Sequence, residues 1–296
     1  MNGFINLNKP KGLTSHDCVA KLRKILHTKK IGHGGTLDPL ATGVLPVAVG
    51  KATRLLQFLP SKKAYRAKIR FGVTTTTDDL EGDIIATGDT KGLNLAMIEP
   101  YLPEFIGKIS QTPPIYSALK RDGKKLYELA RKGEDVDIPS RIIEIFDLKI
   151  VAWQNGDFPE LDLDVVCGAG TYIRALARDL GCRLGCGATL AGLKRTMSCN
   201  LLLDNSVSLE DLQQQKEEGN LALIPMDKLL SNLDTIDLNQ EDSQKWCWGQ
   251  KLVCEKLDTK QFYLTYNQDQ EFLGISEIRE ENQQQLIKPK VGISEV

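Results

Sequence analysis

One carboxylate has surroundings that suit it for chemistry. Asp38 sits in Gly32-His33-Gly34-Gly35-Thr36-Leu37-Asp38-Pro39-Leu40-Ala41-Thr42-Gly43. Residues 1–77 hold fourteen Lys and Arg against two acids, Asp17 and Asp38, a formal balance of +12. An anion in a glycine-flanked turn among cations is either a structural ion-pair partner or a reagent, that is, a nucleophile or a general base. Two distant residues stand out beside it. Arg174 is expected in the first turn of a helix, where the positive end of the helix dipole disfavours a cation unless an anion meets it. Tyr65 begins a strictly alternating run. Tyr65, Ala67, Ile69 and Phe71 face one way and Arg66, Lys68 and Arg70 the other, which puts the Tyr65 ring on the apolar side of a strand.

The elements that must position these residues are of mixed α and β type. Ser15 is expected to cap a helix running to about His27, with Val19, Leu22 and Ile25/Leu26 on one face. The Asp38 segment reads as a loop, because its glycines and Asp-Pro disfavour regular structure. Leu161–Val166 reads as a strand, turned by Gly168-Ala169-Gly170 into a helix with Thr171 as N-cap that runs to about Gly185. Residues 112–141 form a long polar excursion with a helical patch at Leu126, Leu129 and Ala130, of the kind that carries binding. A boundary after Ile224-Pro225-Met226-Asp227 divides the chain into residues 1–230 and 231–296. The second part shows short strands at Phe262–Thr265, Phe272–Ser276 and Gln285–Pro289, read as a small β barrel or sandwich.

Charge is distributed unevenly. The chain carries −1 overall, but its segments carry +12 over residues 1–77, −4 over 78–200 and −9 over 201–296. Such asymmetry suits a basic face for nucleic acid. Lys108, Lys120, Arg121, Lys124, Lys125, Arg131 and Lys132, facing only Asp122 and Glu128, make a second basic island. Lys120, Arg121, Lys124, Lys125 and Arg131 are the expected contacts to an RNA backbone, with an affinity that falls steeply with salt. The acidic last part is poorly suited to gripping RNA and is expected to be mainly a structural extension.

Other chemistries fit less well. No apolar run is long enough to span a membrane, and residues 1–6 lack the features of a signal peptide. Seven irregularly spaced cysteines point to reduced thiols in a cytoplasm. Three histidines, all before residue 34, and the absence of any Cys-x-x-Cys pair argue against a metal centre. Gly50-Lys51 lacks the rest of a P-loop, and Gly168-x-Gly170 has Ile173 where a dinucleotide fingerprint needs its third glycine.

The segment from Gly32 to Gly43 resembles the active-site motif of the TruB family, tRNA pseudouridine synthases that isomerise the T-loop uridine at tRNA position 55. Leu7-Asn8-Lys9-Pro10-Lys11-Gly12 is similar to the family's Lys-Pro turn, and Lys63-Ala64-Tyr65-Arg66 to its tyrosine strand. Pro114 to Lys120 is similar to the start of its RNA-gripping insertion, Gly170-Thr171-Tyr172-Ile173-Arg174 to its arginine helix, and Leu193-Lys194-Arg195 to its base-covering leucine. The resemblance covers most of the chain. It implies an α+β fold: a mixed, largely antiparallel sheet with flanking helices, followed by a small PUA-like β domain.

By the same resemblance Asp38 is the catalytic group, Arg174 pairs with it and Tyr65 stacks on the target base. His33, Tyr172 and Leu193 would help hold the flipped nucleotide, and Lys9 and Pro10 join the expected substrate contacts. Pseudouridine formation breaks a C–N glycosidic bond and rejoins C5 of the base to C1′, with no redox step, hydrolysis or energy input, so no cofactor is expected. Asp38 would attack C1′ or remove a ribose proton, and the sequence does not choose between these. The implied partner is the tRNA T-stem-loop, with no membrane, no obligate protein partner and a monomeric chain. Three rival readings stay open: a guide-RNA-dependent synthase, a non-catalytic RNA chaperone, and a glycosylase that releases uracil.

Overall fold

The computed structural model describes residues 1–116, 120–121, 124–125, 138–254, 257–259 and 261–293. Its first strands are β1 (Gly3–Lys9), β2 (Ile31–His33), β3 (Thr42–Val49) and β4 (Lys63–Phe71). A ribbon of β5 (Val73–Thr75) and β6 (Ile84–Thr87) follows, then β7 (Gly107–Gln111) and the short pair β8 (Lys120–Arg121) and β9 (Lys124–Lys125). Next come β10 (Arg141–Gln154), β11 (Glu160–Cys167), β12 (Ala188–Ser198) and β13 (Leu201–Leu202). The main sheet has the order β1-β3-β12-β4-β11-β10-β7, with β2 on β3 and β13 on β12. Only β12 against β3 is parallel, so the fold is the mixed, largely antiparallel α+β architecture expected.

Strand β4 is central and alternates as its sequence requires. Tyr65, Ala67, Ile69 and Phe71 join a core with Leu161, Leu163 and Val165 of β11 and with Leu176, Ala177 and Leu180 of the helix Ile173–Leu184. Its outer face corrects the simple charge count. Arg66 lies 2.8 Å from Asp164, Lys68 3.1 Å from Asp162 and Arg70 2.7 Å from Glu160, all on the adjacent β11. These three cations are matched across the strands and do not contribute a free basic face.

Two helix starts differ from expectation by one residue. Thr14, not Ser15, caps the helix Ser15–Ile25, in a reciprocal capping box with Asp17. Asp17 is therefore committed to the helix end. Tyr172, not Thr171, is the N-cap of Ile173–Leu184, without a side-chain cap of its own. The Gln111 side chain on β7 substitutes, accepting from the Tyr172 N–H at 2.9 Å and donating to its carbonyl at 3.1 Å.

The last strands are β14 (Asp234–Asp237), β15 (Leu252–Cys254), β16 (Phe262–Tyr266), β17 (Phe272–Glu281) and β18 (Gln284–Gly292). They form one five-stranded sheet rather than a sandwich. A helix, Gln240–Cys247, was not anticipated. Asn239 caps it, and it buries Trp246 against Leu252, Tyr263 and Leu273. The opposite side of this sheet shares an apolar cluster with the main domain, in which Leu264, Ile275 and Val291 meet Val44, Ala48 and Phe58. Among the described residues, no helix is long and apolar enough to cross a membrane.

Candidate active site

Asp38 is carried on the loop between β2 and β3, which is fixed almost entirely through its own backbone. Ser15 Oγ accepts from the Leu37 N–H at 2.8 Å and lies 3.1 Å from the Leu37 carbonyl. Lys9, fully buried, donates its ammonium to the carbonyls of Ala41 (2.6 Å), Pro10 (2.9 Å) and Pro39 (3.4 Å). Arg195, also fully buried, donates to Val44 (2.6 Å), Gly35 (3.1 Å) and Thr36 (3.4 Å). Leu37 and Ala41 are buried in the core on either side of Asp38. The carboxylate itself is left 41 % exposed.

The anion that the first turn of the helix needs is present twice. Arg174 Nη2 lies 3.0 Å from Asp38 Oδ2, and Nη1 lies 3.4 Å from Asp79 Oδ2. The same two nitrogens also donate to backbone, Nη1 to the Thr77 carbonyl and Nη2 to the Tyr116 carbonyl, each at 3.0 Å. The Arg174 side chain is only 7 % exposed and that of Asp79 only 3 %. A planar, permanently charged fork holds each of two carboxylates on a separate nitrogen, with a fixed geometry that a single ammonium point charge does not impose. Asp79 is held in turn by Thr77 Oγ1 at 2.5 Å and by the Glu81 N–H at 3.0 Å. One turn along the helix, Arg178 pairs with Asp78 at 2.8 Å.

Asp38, Tyr65, Tyr172, Arg174 and Leu193 line one open pocket of about 360 Å³, within the usual size of a small-molecule site. Tyr65 is buried, and its position on β4 faces Arg195 on β12. Burial pushes the Tyr65 phenol up, while the Arg195 guanidinium pulls the other way. The net rise leaves a neutral ring at physiological pH, suited to stacking and hydrogen bonding rather than to acting as a phenolate base.

The structure separates three expected site residues from this group. Lys9 spends its ammonium on loop carbonyls and is not among the pocket-lining residues. It anchors the loop from behind, which corrects its assignment as a substrate contact. Pro10 is exposed outside the pocket. His33 is half-buried on β2, its ring edge-on to His16 with centroids 5.5 Å apart, and it too is outside the lining. Arg131, the helical patch at Leu126, Leu129 and Ala130, and the side chains of Lys120, Arg121, Lys124 and Lys125 lie outside the described residues.

Sequence reasoning missed Asp79, Gln111 and Arg195. Asp79 follows a threonine run with no periodic signal, and it lies just beyond the basic segment whose two acids are Asp17 and Asp38. Arg195 did leave a trace, since it is two residues beyond Leu193 on one strand and so faces the same side. Gly43 left another. A Cβ there would lie 2.3 Å from the Arg195 carbonyl, and its φ of +98° favours glycine.

A partly exposed carboxylate gripped by a buried guanidinium, with a neutral aromatic ring beside it, equips a mixed-sheet enzyme for nucleophilic or general-base chemistry. The comparisons narrow that class. Models of the TruB family pseudouridylate synthase N-terminal domain match residues 23–173, the tRNA pseudouridylate synthase B C-terminal domain 174–236, and the pseudouridine synthase II TruB C-terminal region 235–293. The chain belongs to the TruB family of pseudouridine synthases. It is 54 % identical to the tRNA pseudouridine synthase B of Gloeothece citriformis, across 99 % of this chain and 98 % of that one. It is 52 % identical to the protein of that name from Synechocystis, across 99 % and 100 %. Among solved structures it resembles a chain of an H/ACA RNP bound to a substrate RNA containing 2′-deoxyuridine, at TM-score 0.74 and 26 % identity over 99 % of this chain and 85 % of that one. A chain of a Cbf5-Nop10-Gar1 complex matches at TM-score 0.72 and 28 % identity over 95 % and 79 %.

Proposed function

We propose that this chain converts a uridine of tRNA to pseudouridine, acting on the T-loop at position 55, and that Asp38 performs the chemistry on a base flipped out of its stack. The observation that carries the reading is the 3.0 Å contact of Asp38 with Arg174 in an open pocket lined by Tyr65. The full-length similarity to proteins named tRNA pseudouridine synthase B supports tRNA as the substrate class.

The reaction balances without an external reagent. The bond from C1′ to N1 breaks, the base turns, C5 bonds to C1′, and the proton that C5 loses is matched by one gained at N1. Asp38 starts this either by attacking C1′ or by taking a ribose proton. Arg174 holds the carboxylate in place through Nη2, and Asp79 fixes Arg174 from behind through Nη1. Tyr65 and Leu193 offer faces that replace the stacking lost on extrusion. His33, off the pocket, would reach the RNA only beside the extruded nucleotide. The chain would act in the cytoplasm as a monomer, without a guide RNA or obligate protein partner. The basic insertion, with Lys120, Arg121, Lys124, Lys125 and Arg131, would grip the stem.

The test is incubation with T-arm stem-loop RNA, followed by carbodiimide labelling and primer extension, for wild type and Asp38→Asn. Product from wild type alone supports the reading. Product from both removes Asp38 from the chemistry, and free uracil would mark a glycosylase. No product from bare RNA would favour a guide-dependent synthase or a chaperone.

A further inference from the structure

The pocket contains two cations that the isomerisation itself does not use. Lys63 and Arg141 line it together with Asp38 and Arg174. Neither makes an ion pair with a carboxylate among the described residues, whereas Arg66, Lys68, Arg70, Arg174 and Arg178 all do. Lys63 stands at the start of β4, where among the described residues its ammonium donates to the Ser61 carbonyl alone, at 3.1 Å. Its stem passes over the Asp38 loop, 3.5 Å from where a Cβ on Gly35 would lie. Burial, with the nearby Arg195 charge, lowers the Lys63 pKa, as it does for a cation held without a counter-ion.

Arg141 opens β10 on the other side. Its guanidinium donates to the Gly170 carbonyl and lies 4.8 Å from the centre of the Tyr172 ring, while its buried Nε has no partner among the described residues. With Arg174 taken up by Asp38 and Asp79, Lys63 and Arg141 are the two lining cations left without a carboxylate partner among the described residues. A uracil ring is neutral and gives them nothing to bind. The phosphodiesters on either side of an everted nucleotide each bring one negative charge, and a planar fork with spare donors suits phosphate well.

We propose that Lys63 and Arg141 form a phosphate subsite that grips the RNA backbone flanking the everted uridine and so holds the nucleotide extruded over Asp38. This rests on the reading of the substrate as an RNA uridine. Arg141 has a second task, since the ring it covers belongs to Tyr172, the N-cap of the helix that carries Arg174. The subsite thereby links capture of the backbone to the placement of the catalytic pair.

The test uses the full chain and T-arm stem-loop RNA, either unmodified or carrying one uncharged methylphosphonate on the 5′ or the 3′ side of the target. For Lys63→Gln and Arg141→Gln, KM should rise about tenfold, as for loss of one charge-assisted contact, and by more than kcat falls. The slope of log KM against log salt should become shallower by ~0.7–0.9 for each cation removed. In wild type, a methylphosphonate at the gripped position should raise KM similarly. In the variant lacking its partner it should add less than about twofold, because the contact is already gone. Lys63→Arg and Arg141→Lys should restore the salt slope, and thermal unfolding identifies any variant that has lost its fold. A methylphosphonate penalty of full size in both Gln variants, or an unchanged salt slope, overturns the subsite. Failure of wild type to convert the unmodified RNA would instead overturn the reading of function.

Discussion

Arg174 is shared between two carboxylates of opposite character, with Asp38 41 % exposed at 3.0 Å and Asp79 3 % exposed at 3.4 Å. The exposed partner can reach a substrate, and the buried one can only hold the arginine. Asp38→Asn should therefore lower turnover at least ~100-fold, the scale of a lost acid–base or nucleophilic group, with an unchanged melting temperature. Asp79→Asn should lower both turnover and stability. Single-turnover conversion and calorimetry on the same samples distinguish the two roles.

Removal of the shared cation is the harsher change. Arg174→Met leaves Asp79 buried without its counter-ion and should cost ~3–5 kcal/mol of stability. Arg174→Lys should recover part of that stability but little activity, because a flexible point charge does not fix Asp38 as the two-nitrogen fork does. Urea unfolding read beside turnover checks both statements.

Arg195 should behave as a support for the loop. Arg195→Leu leaves the buried Val44 carbonyl without its donor, a cost of ~1–3 kcal/mol from that group alone. Turnover should fall with it, since Gly35 and Thr36 lose the same anchor. Gly43→Ala should give a related phenotype by pushing β3 away from β12. Parallel loss of stability and activity in the two variants is the expected result, and full activity in Arg195→Leu would exclude the role.

His33 gives a prediction for acid stability. Burial, and then the charge of His16, hold its pKa below the usual 6.5. Below that value the unfolded chain binds the proton more readily than the folded chain, so stability falls as pH drops. The contribution is complete above 6.5 and is lost as pH falls towards the folded value. Asp78 and Glu81, raised chiefly by burial, act in the opposite sense, so the measurement must be differential. His33→Gln should lose less stability than wild type between about pH 7 and about pH 5.

The thiols should differ sharply in reactivity. Burial pushes Cys167 up to about 11 and also raises Cys18, Cys186 and Cys199, while Cys182 is exposed. Iodoacetamide at about pH 8 should label Cys182 first and reach Cys167 and Cys199 only on unfolding, as mass spectrometry of the peptides would show.

Much of this architecture was legible in the sequence, for identifiable reasons. The alternation from Tyr65 to Phe71 reports a strand because one face is buried and the other wet, and that fixed where the tyrosine ring would lie. The glycines around Asp38 marked a loop for a similarly local reason. Asp79 and Gln111 were not legible, because their roles arise from distant segments meeting at the start of one helix. The ion pairs of β4 with β11 were hidden too. Charge counted along the chain cannot show that Arg66, Lys68 and Arg70 face Asp164, Asp162 and Glu160. Lys9 is a substrate contact only by resemblance, and nothing in its own sequence surroundings reveals the burial that commits its ammonium to loop carbonyls.

The apolar cluster shared by β3 and the last sheet has a consequence for how the molecule comes apart. With Leu264, Ile275 and Val291 seated on Val44, Ala48 and Phe58, the acidic portion is not a detachable appendage. Cutting it away would uncover an oily patch on the reverse side of the strand that begins where the Asp38 loop ends. A shortened chain should therefore aggregate, and the intact one should melt as a single calorimetric unit.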